Sequence, residues 1–186
     1  MVPSVLLFAF LSFGVEVQTL ARLVPPPSEG PVAWLEEEVL PDPADVVLDE
    51  AFALLGSRYR LGGSNPEVGI DCSQFVRRAF ATIGISLPQS SAGQIGVGKV
   101  VERDELEPGD LVFFKNTYKR GISHVGIYVG DNEFVHASNR RRGVVVSRLD
   151  TPYYKKHWAG ARRVLPEAPQ GLTDVVTVAA TGPTGQ

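Results

Sequence analysis

The spacing of apolar residues changes character once along this chain, and that change constrains the fold more than any other feature. Before residue 100 the pattern is helical. Val46, Val47, Ala51, Phe52, Leu54 and Leu55 form one stripe, and Phe75, Val76, Ala79, Phe80 and Ile83 recur at steps of three and four in a second. Gly56 and Gly84 stand where these two helices should stop, and residues 90–95 allow one further short turn. From Glu107 onward, short apolar runs alternate with turn residues, at 111–114, 123–129, 133–138, 144–147 and 158–164. Gly130-Asp131-Asn132 closes the second and third runs into a tight hairpin. Helices followed by antiparallel strands predict an α+β fold, with amino-terminal helices packed on a sheet of about five to six strands.

Composition sets the limits of that domain. A chain of 186 residues accommodates one domain with tails. Pro25-Pro26-Pro27 and Pro41-Asp42-Pro43 mark residues 22–44 as a linker or pro-region, which leaves 45–165 as the domain and 166–186 as a Gly-, Pro- and Thr-rich tail. The apolar run from Val5 to Val15 is 11 residues long. A membrane-spanning helix needs about 20, whereas the core of a secretory signal is this short. Cleavage after Ala21 would make residues 1–21 a signal peptide and the protein extracytoplasmic. Met1-Val2-Pro3-Ser4 carries no Lys or Arg, unlike most such signals, and an apolar amino-terminal strand is the competing reading. The net charge of -3 gives no electrostatic case for nucleic acid. One cysteine excludes an intramolecular disulfide and any multi-cysteine zinc site.

That cysteine, Cys72, lies between the turn material Gly62-Gly63-Ser64-Asn65-Pro66 and the second helical stripe. A thiol at the amino end of a helix meets unpaired N–H groups and the positive end of the dipole, and both favour thiolate. The plainer alternative is a small buried hydrophobe. Three histidines narrow the choice. His124 lies six residues before Gly130 and His136 four after Asn132, so pairing across the hairpin could set the two rings side by side. Thiol, base and orienter are then the parts of a nucleophilic site. His157 would replace His136 as orienter if the register were shifted. A metal held by Cys72, His124 and His136 lacks the close ligand pairs such sites use, and no metal or cofactor is expected.

Four blocks carry a family resemblance: Asp71-Cys72-Ser73-Gln74-Phe75-Val76, Pro108-Gly109-Asp110-Leu111-Val112-Phe113-Phe114, His124-Val125-Gly126-Ile127-Tyr128-Val129-Gly130 and Phe134-Val135-His136-Ala137. In this order, across about residues 45–165, they resemble the NlpC/P60 family of papain-like cysteine peptidases that act on bacterial peptidoglycan. The resemblance implies Cys72 as nucleophile, His124 as general base and His136 as the group that orients it. It places the hydroxyl of Tyr59, in Tyr59-Arg60-Leu61-Gly62-Gly63, near the oxyanion, and makes Asp71 and Ser73 shapers of the nucleophile loop. Gln74 departs from the glycine that is commonest there, so its side chain either faces the cleft or packs on the sheet. The implied substrates are stem peptides, cut through a thioester at the D-glutamyl–diamino acid bond or, second, at the D-alanyl–diamino acid crosslink. Such peptides carry carboxylates, which makes Arg58, Arg60, Arg77 and Arg140 candidate cleft cations. The run Arg140-Arg141-Arg142 is expected mainly to solubilise a hairpin. Two further readings compete: an amidase or acyltransferase on the same fold, and a noncatalytic wall-binding module. A binding module has no need of Cys72, His124 and His136 together.

Overall fold

The computed structural model describes residues 41–166. The expected signal segment, most of the expected linker and the tail beyond Pro166 lie outside the described residues. The first helix, α1 (Pro43–Ala53), begins inside the segment expected as linker, because Asp42 caps it by accepting from the Ala44 amide at 2.8 Å and Pro43 supplies a preset φ at its first position. It buries Val47, Leu48 and Ala51. Two-residue strands β1 (Ser64–Asn65) and β2 (Gly69–Ile70) then form a small hairpin. It delivers the chain to α2 (Cys72–Ala81), whose Phe75, Val76, Ala79 and Phe80 are fully covered. The single turn α3 (Ser91–Gln94) completes the helical half.

The sheet is built from β3 (Lys99–Val101), β4 (Leu111–Lys115), β5 (Ile122–Gly130), β6 (Glu133–Asn139), β7 (Gly143–Arg148) and β8 (Trp158–Arg163), in the spatial order β3-β8-β4-β5-β6-β7 with every pairing antiparallel. Six strands agree with the expected α+β architecture. Three elements escape sequence reading because each is shorter than the pattern that would reveal it: the β1–β2 hairpin, the three-residue edge strand β3, and α4 (Pro152–His157), a six-residue helix capped by Thr151.

Strand alternation gives the sheet two apolar faces. Leu111, Phe113, Val125, Ile127 and Val135 pack with α1 and α2. Val112, Phe114 and Phe134 occupy the other face with Tyr154 from α4, the Phe114 ring lying 4.9 Å from Tyr154 and 5.1 Å from Phe134. Each such phenyl group contributes about 2–3 kcal/mol by leaving water. Gly126 lets β6 approach β5: a Cβ there would stand 2.6 Å from the Phe134 ring and 2.9 Å from the Val135 carbonyl. Among the described residues, no helix is long and apolar enough to cross a membrane.

Candidate active site

Asp71 builds the seat of the cysteine from short-range contacts. Its Oδ1 accepts from the Gln74 amide at 2.9 Å, capping α2, and from the Ser73 hydroxyl at 2.8 Å; its Oδ2 accepts from the Gly62 amide at 2.9 Å. The carboxylate thus fixes both the helix end and the loop before it. Gln94, fully buried, donates from Nε2 to the Ser73 carbonyl at 3.0 Å and holds the same turn from α3. Cys72 sits on this frame with 3% of its surface exposed. The amides of Val125, Ser73 and Cys72 itself are directed at its sulfur. The Val125 amide can turn there because the β5–β6 ladder is paired from Gly130↔Glu133 only as far as Ile127↔Val135. The strands open at the end where His124 lies, and the thiol comes against β5 one residue from that histidine.

The two histidines meet, but not as a directly opposed pair. Beyond the last paired residues, Ile127 and Val135, the His136 Cβ lies beside Gly126, so the rings are diagonal neighbours on one face of the sheet. His124 Nε2 and His136 Nδ1 are 2.6 Å apart, with the rings nearly perpendicular. His136 Nε2 in turn lies 3.0 Å from the Ser147 hydroxyl and 3.3 Å from the Tyr154 hydroxyl. Only one direction of proton placement leaves Nδ1 of His124 with a lone pair. His124 donates from Nε2 to His136 Nδ1, and His136 donates from Nε2 to Ser147 or Tyr154. His157 is not part of this chain: its Nδ1–H donates to the Lys115 carbonyl at 2.8 Å and its ring packs on Tyr153.

Burial sets the resting charge state. It pushes the Cys72 thiol up to about 12, the neighbouring Asp71 charge adding to the effect while the three amides oppose it. It pushes His124 down to about 4, against the pull of Asp71. His136 lies well below the ordinary range, first through burial, then through His124 and Arg142. The amides at the helix end favour the thiolate, as expected, but desolvation outweighs them in the resting site. Neither charge is favourable alone, whereas a proton passed from sulfur to His124 leaves the net charge of the buried site unchanged. Burial, and next Cys72, also hold the Tyr59 hydroxyl protonated well above its usual range. Tyr59 is joined to Ile70 by a parallel bridge and has Cys72, Tyr118, Asp71 and Arg140 as its charged or titrating neighbours.

The remaining expected site residues are spread more widely. Gln74 does not line the histidine cavity; its Oε1 accepts from Arg77 at 2.8 Å, and Arg77 donates to the Leu87 carbonyl at 3.0 Å. Arg58 and Arg60 are exposed and hold Ile70 through their backbone, the Ile70 amide donating to the Arg58 carbonyl and the Arg60 amide to the Ile70 carbonyl. Neither lines the cavity of about 680 Å³ beside His124 and His136. The basic turn does more than solubilise. Gly143, at φ +66, lies so close to the Ser57 carbonyl that a Cβ would collide with it. The Val144 amide donates to that carbonyl at 2.9 Å, and this contact carries Arg140 to Tyr59 and Arg142 into the cavity wall. Tyr118, from the loop between β4 and β5, feels both Cys72 and Asp71 and was not foreseen. Ser147 and Tyr154 were also missed. Ser147 could have been found from β6–β7 alternation once the register was known, but Tyr154 has no sequence signal.

A helix bearing a thiol at its start, laid on one face of a six-stranded antiparallel sheet, is the papain-like α+β class. The chain belongs to the NlpC/P60 family, whose model matches residues 56–163. It is 48% identical over 122 residues to the murein DD-endopeptidase MepS/murein LD-carboxypeptidase of Escherichia coli (strain K12), covering 64% of this chain and 62% of that protein. It is 46% identical over 125 residues to the gamma-DL-glutamyl hydrolase of Bacillus subtilis (strain 168), covering 66% of this chain and 30% of that one. The crystal structure of an NlpC/P60 family protein from Bacillus cereus ATCC 10987 superposes with a TM-score of 0.62 at 35% identity, over 66% of this chain and 40% of the other. The chain thus spans less than two thirds of either named relative.

Proposed function

We propose that this chain hydrolyses an amide bond of peptidoglycan stem peptides through a Cys72–His124–His136 triad. The observation that carries the reading is the 2.6 Å bond between His124 Nε2 and His136 Nδ1, at the strand position where the Val125 amide meets the Cys72 sulfur. Nδ1 of His124 takes the thiol proton as sulfur adds to the carbonyl carbon. The amides of Cys72 and Ser73, with the Tyr59 hydroxyl, donate to the oxyanion. The imidazolium then protonates the departing amine as the C–N bond breaks, and water, deprotonated by His124, releases the acid from the thioester. His136 holds His124 in the required tautomer, and Asp71 and Ser73 hold the loop.

The relative named as a murein DD-endopeptidase supports murein as the substrate, and the one named as a gamma-DL-glutamyl hydrolase supports a glutamyl bond; the D-glutamyl–diamino acid bond is the first candidate and the D-alanyl–diamino acid crosslink the second. A substrate of this kind places the protein outside the cytoplasm, with residues 1–21 as the export signal and 45–165 as the catalytic unit. Incubation of the chain with purified peptidoglycan, followed by mass identification of released muropeptides, tests this. New amino termini are expected from the parent and none from Cys72→Ala. Equal release by the two proteins would falsify the assignment, and transfer of the acyl group to an added amine in preference to water would make the protein an acyltransferase.

A further inference from the structure

Gln94 is fully buried, and its carboxamide makes an uneven set of bonds. Nε2 donates to the Ser73 carbonyl at 3.0 Å and to the Pro88 carbonyl at 2.9 Å, whereas Oε1, equally enclosed, meets no donor among the described residues. The reverse orientation would set an oxygen against two carbonyl oxygens, so the donors are fixed on these two partners. An unmet buried acceptor costs stability, and Met would fill the same space without one. Packing alone does not account for the carboxamide; its two donors do. The bond to Ser73 falls at the nucleophile. Of the first amides of α2, that of Phe75 is taken by the Asp71 carbonyl and that of Gln74 by Asp71 Oδ1. Those of Cys72 and Ser73 have no acceptor within the helix and face the sulfur. The peptide group joining Ser73 to Gln74 is thus gripped at both ends, its N–H by Asp71 and its carbonyl by Gln94. Asp71 acts from within the turn. Gln94 acts from 21 residues on, in the single turn α3, which packs against both α2 and β5. It therefore ties the turn that presents the two amides to the strand that presents His124.

We propose that Gln94 is a positioning residue for the oxyanion: by holding the Ser73 carbonyl it keeps the Cys72 and Ser73 amides aimed at the oxygen that becomes charged, and it does not act on the sulfur itself. The proposal rests on the hydrolase reading above for its place in the reaction. A donor aligned in advance stabilises the tetrahedral oxyanion more than the flat carbonyl, so loss of alignment lowers kcat and leaves KM unmoved.

Two reagents that meet the same thiol separate this role from a general loosening of the fold. With p-nitrophenyl acetate, sulfur adds to the acetyl carbonyl through an oxyanion, the thiol proton passes to His124 and nitrophenolate leaves. With iodoacetamide, sulfur displaces iodide and no oxyanion forms. Both rates are measured on the full chain near neutral pH, with Cys72→Ala as the blank. In Gln94→Met, acylation is expected to slow about tenfold, short of the roughly 10²–10³ lost when an oxyanion donor is removed outright, while alkylation is unchanged. Gln94→Asn keeps the carboxamide but is one methylene too short to span both carbonyls, and a selective fall of about threefold is expected there. It carries the test if Gln94→Met does not fold. Unchanged acylation, or equal slowing of acylation and alkylation, overturns the proposal. The selective loss in a chain whose parent form leaves peptidoglycan intact would instead overturn the hydrolase reading alone.

Discussion

The two halves of the site are built in different ways. The seat of Cys72 is built mostly locally: Asp71 reaches Gly62, Ser73 and Gln74, no more than nine residues away, and one carboxylate orders the loop and the helix end together, with Gln94 and the Val125 amide added from further along the chain. The seat of His124 is not. It depends on His136 twelve residues on, and His136 depends on Ser147 and Tyr154, 11 and 18 residues further. A half held mainly by one carboxylate among neighbours in sequence tolerates most changes elsewhere. A relay across three strands and a helix holds a tautomer only while every member keeps its register.

Breaking the relay at its head should have the largest effect. His124→Ala is expected to lower kcat/KM by about 10⁴-fold and His136→Ala by about 10²-fold, the upper and lower parts of the range for general base catalysis. His136→Asn, which keeps an acceptor for His124, should recover most of the second loss. In His124→Ala the rate of Cys72 alkylation by iodoacetamide near pH 7 should fall, because the buried thiol loses the base that takes its proton. An unchanged alkylation rate would show that the thiol never shares its proton with this ring.

The next effect is on stability in acid. His124 is lowered to about 4 and His136 is lowered well below its ordinary value, so the folded chain keeps both rings neutral where the unfolded chain would charge them. Stability contributed this way is complete above about pH 6.5 and is lost as pH falls toward 4, on the order of 3 kcal/mol for His124. Urea midpoints measured from pH 7 to 4 should fall, and His124→Gln should flatten the slope. A parallel slope in that variant would place the acid sensitivity elsewhere.

The smallest effects contrast the two halves directly. Asp71→Ala removes a cap and strands its donors, and should lower stability by about 2 kcal/mol. Ser147→Ala and Tyr154→Phe should each cost less than about 1 kcal/mol of stability yet lower kcat by about 2- to 10-fold, with KM unmoved. Loss of stability without loss of kcat at Ser147 would reduce it to packing.

Much of this was legible beforehand, and the rest was not for identifiable reasons. The cap at Asp71, the helix from Cys72 and the 130–132 hairpin rest on interactions within a few residues, which periodicity and turn chemistry report. The diagonal placement of the histidines turned on the register at Gly126. The placement of Arg77, which donates to Gln74, depended on where Leu87 runs, and the approach of Arg140 to Tyr59 on a contact between residues 57 and 144. No single stretch of sequence encodes such contacts.

By itself, then, the sequence determined the order of helices and strands, the thiol at a helix start and the pair of imidazoles on one hairpin, since each follows from local backbone preference and side-chain chemistry. The tertiary structure alone decided that the thiol is buried deeply enough to stay protonated, that Ser147 and Tyr154 stand behind His136, and that Arg142 faces the cavity. Desolvation and charge depend on everything packed around a group, and that surrounding exists only once the sheet has closed on the helix.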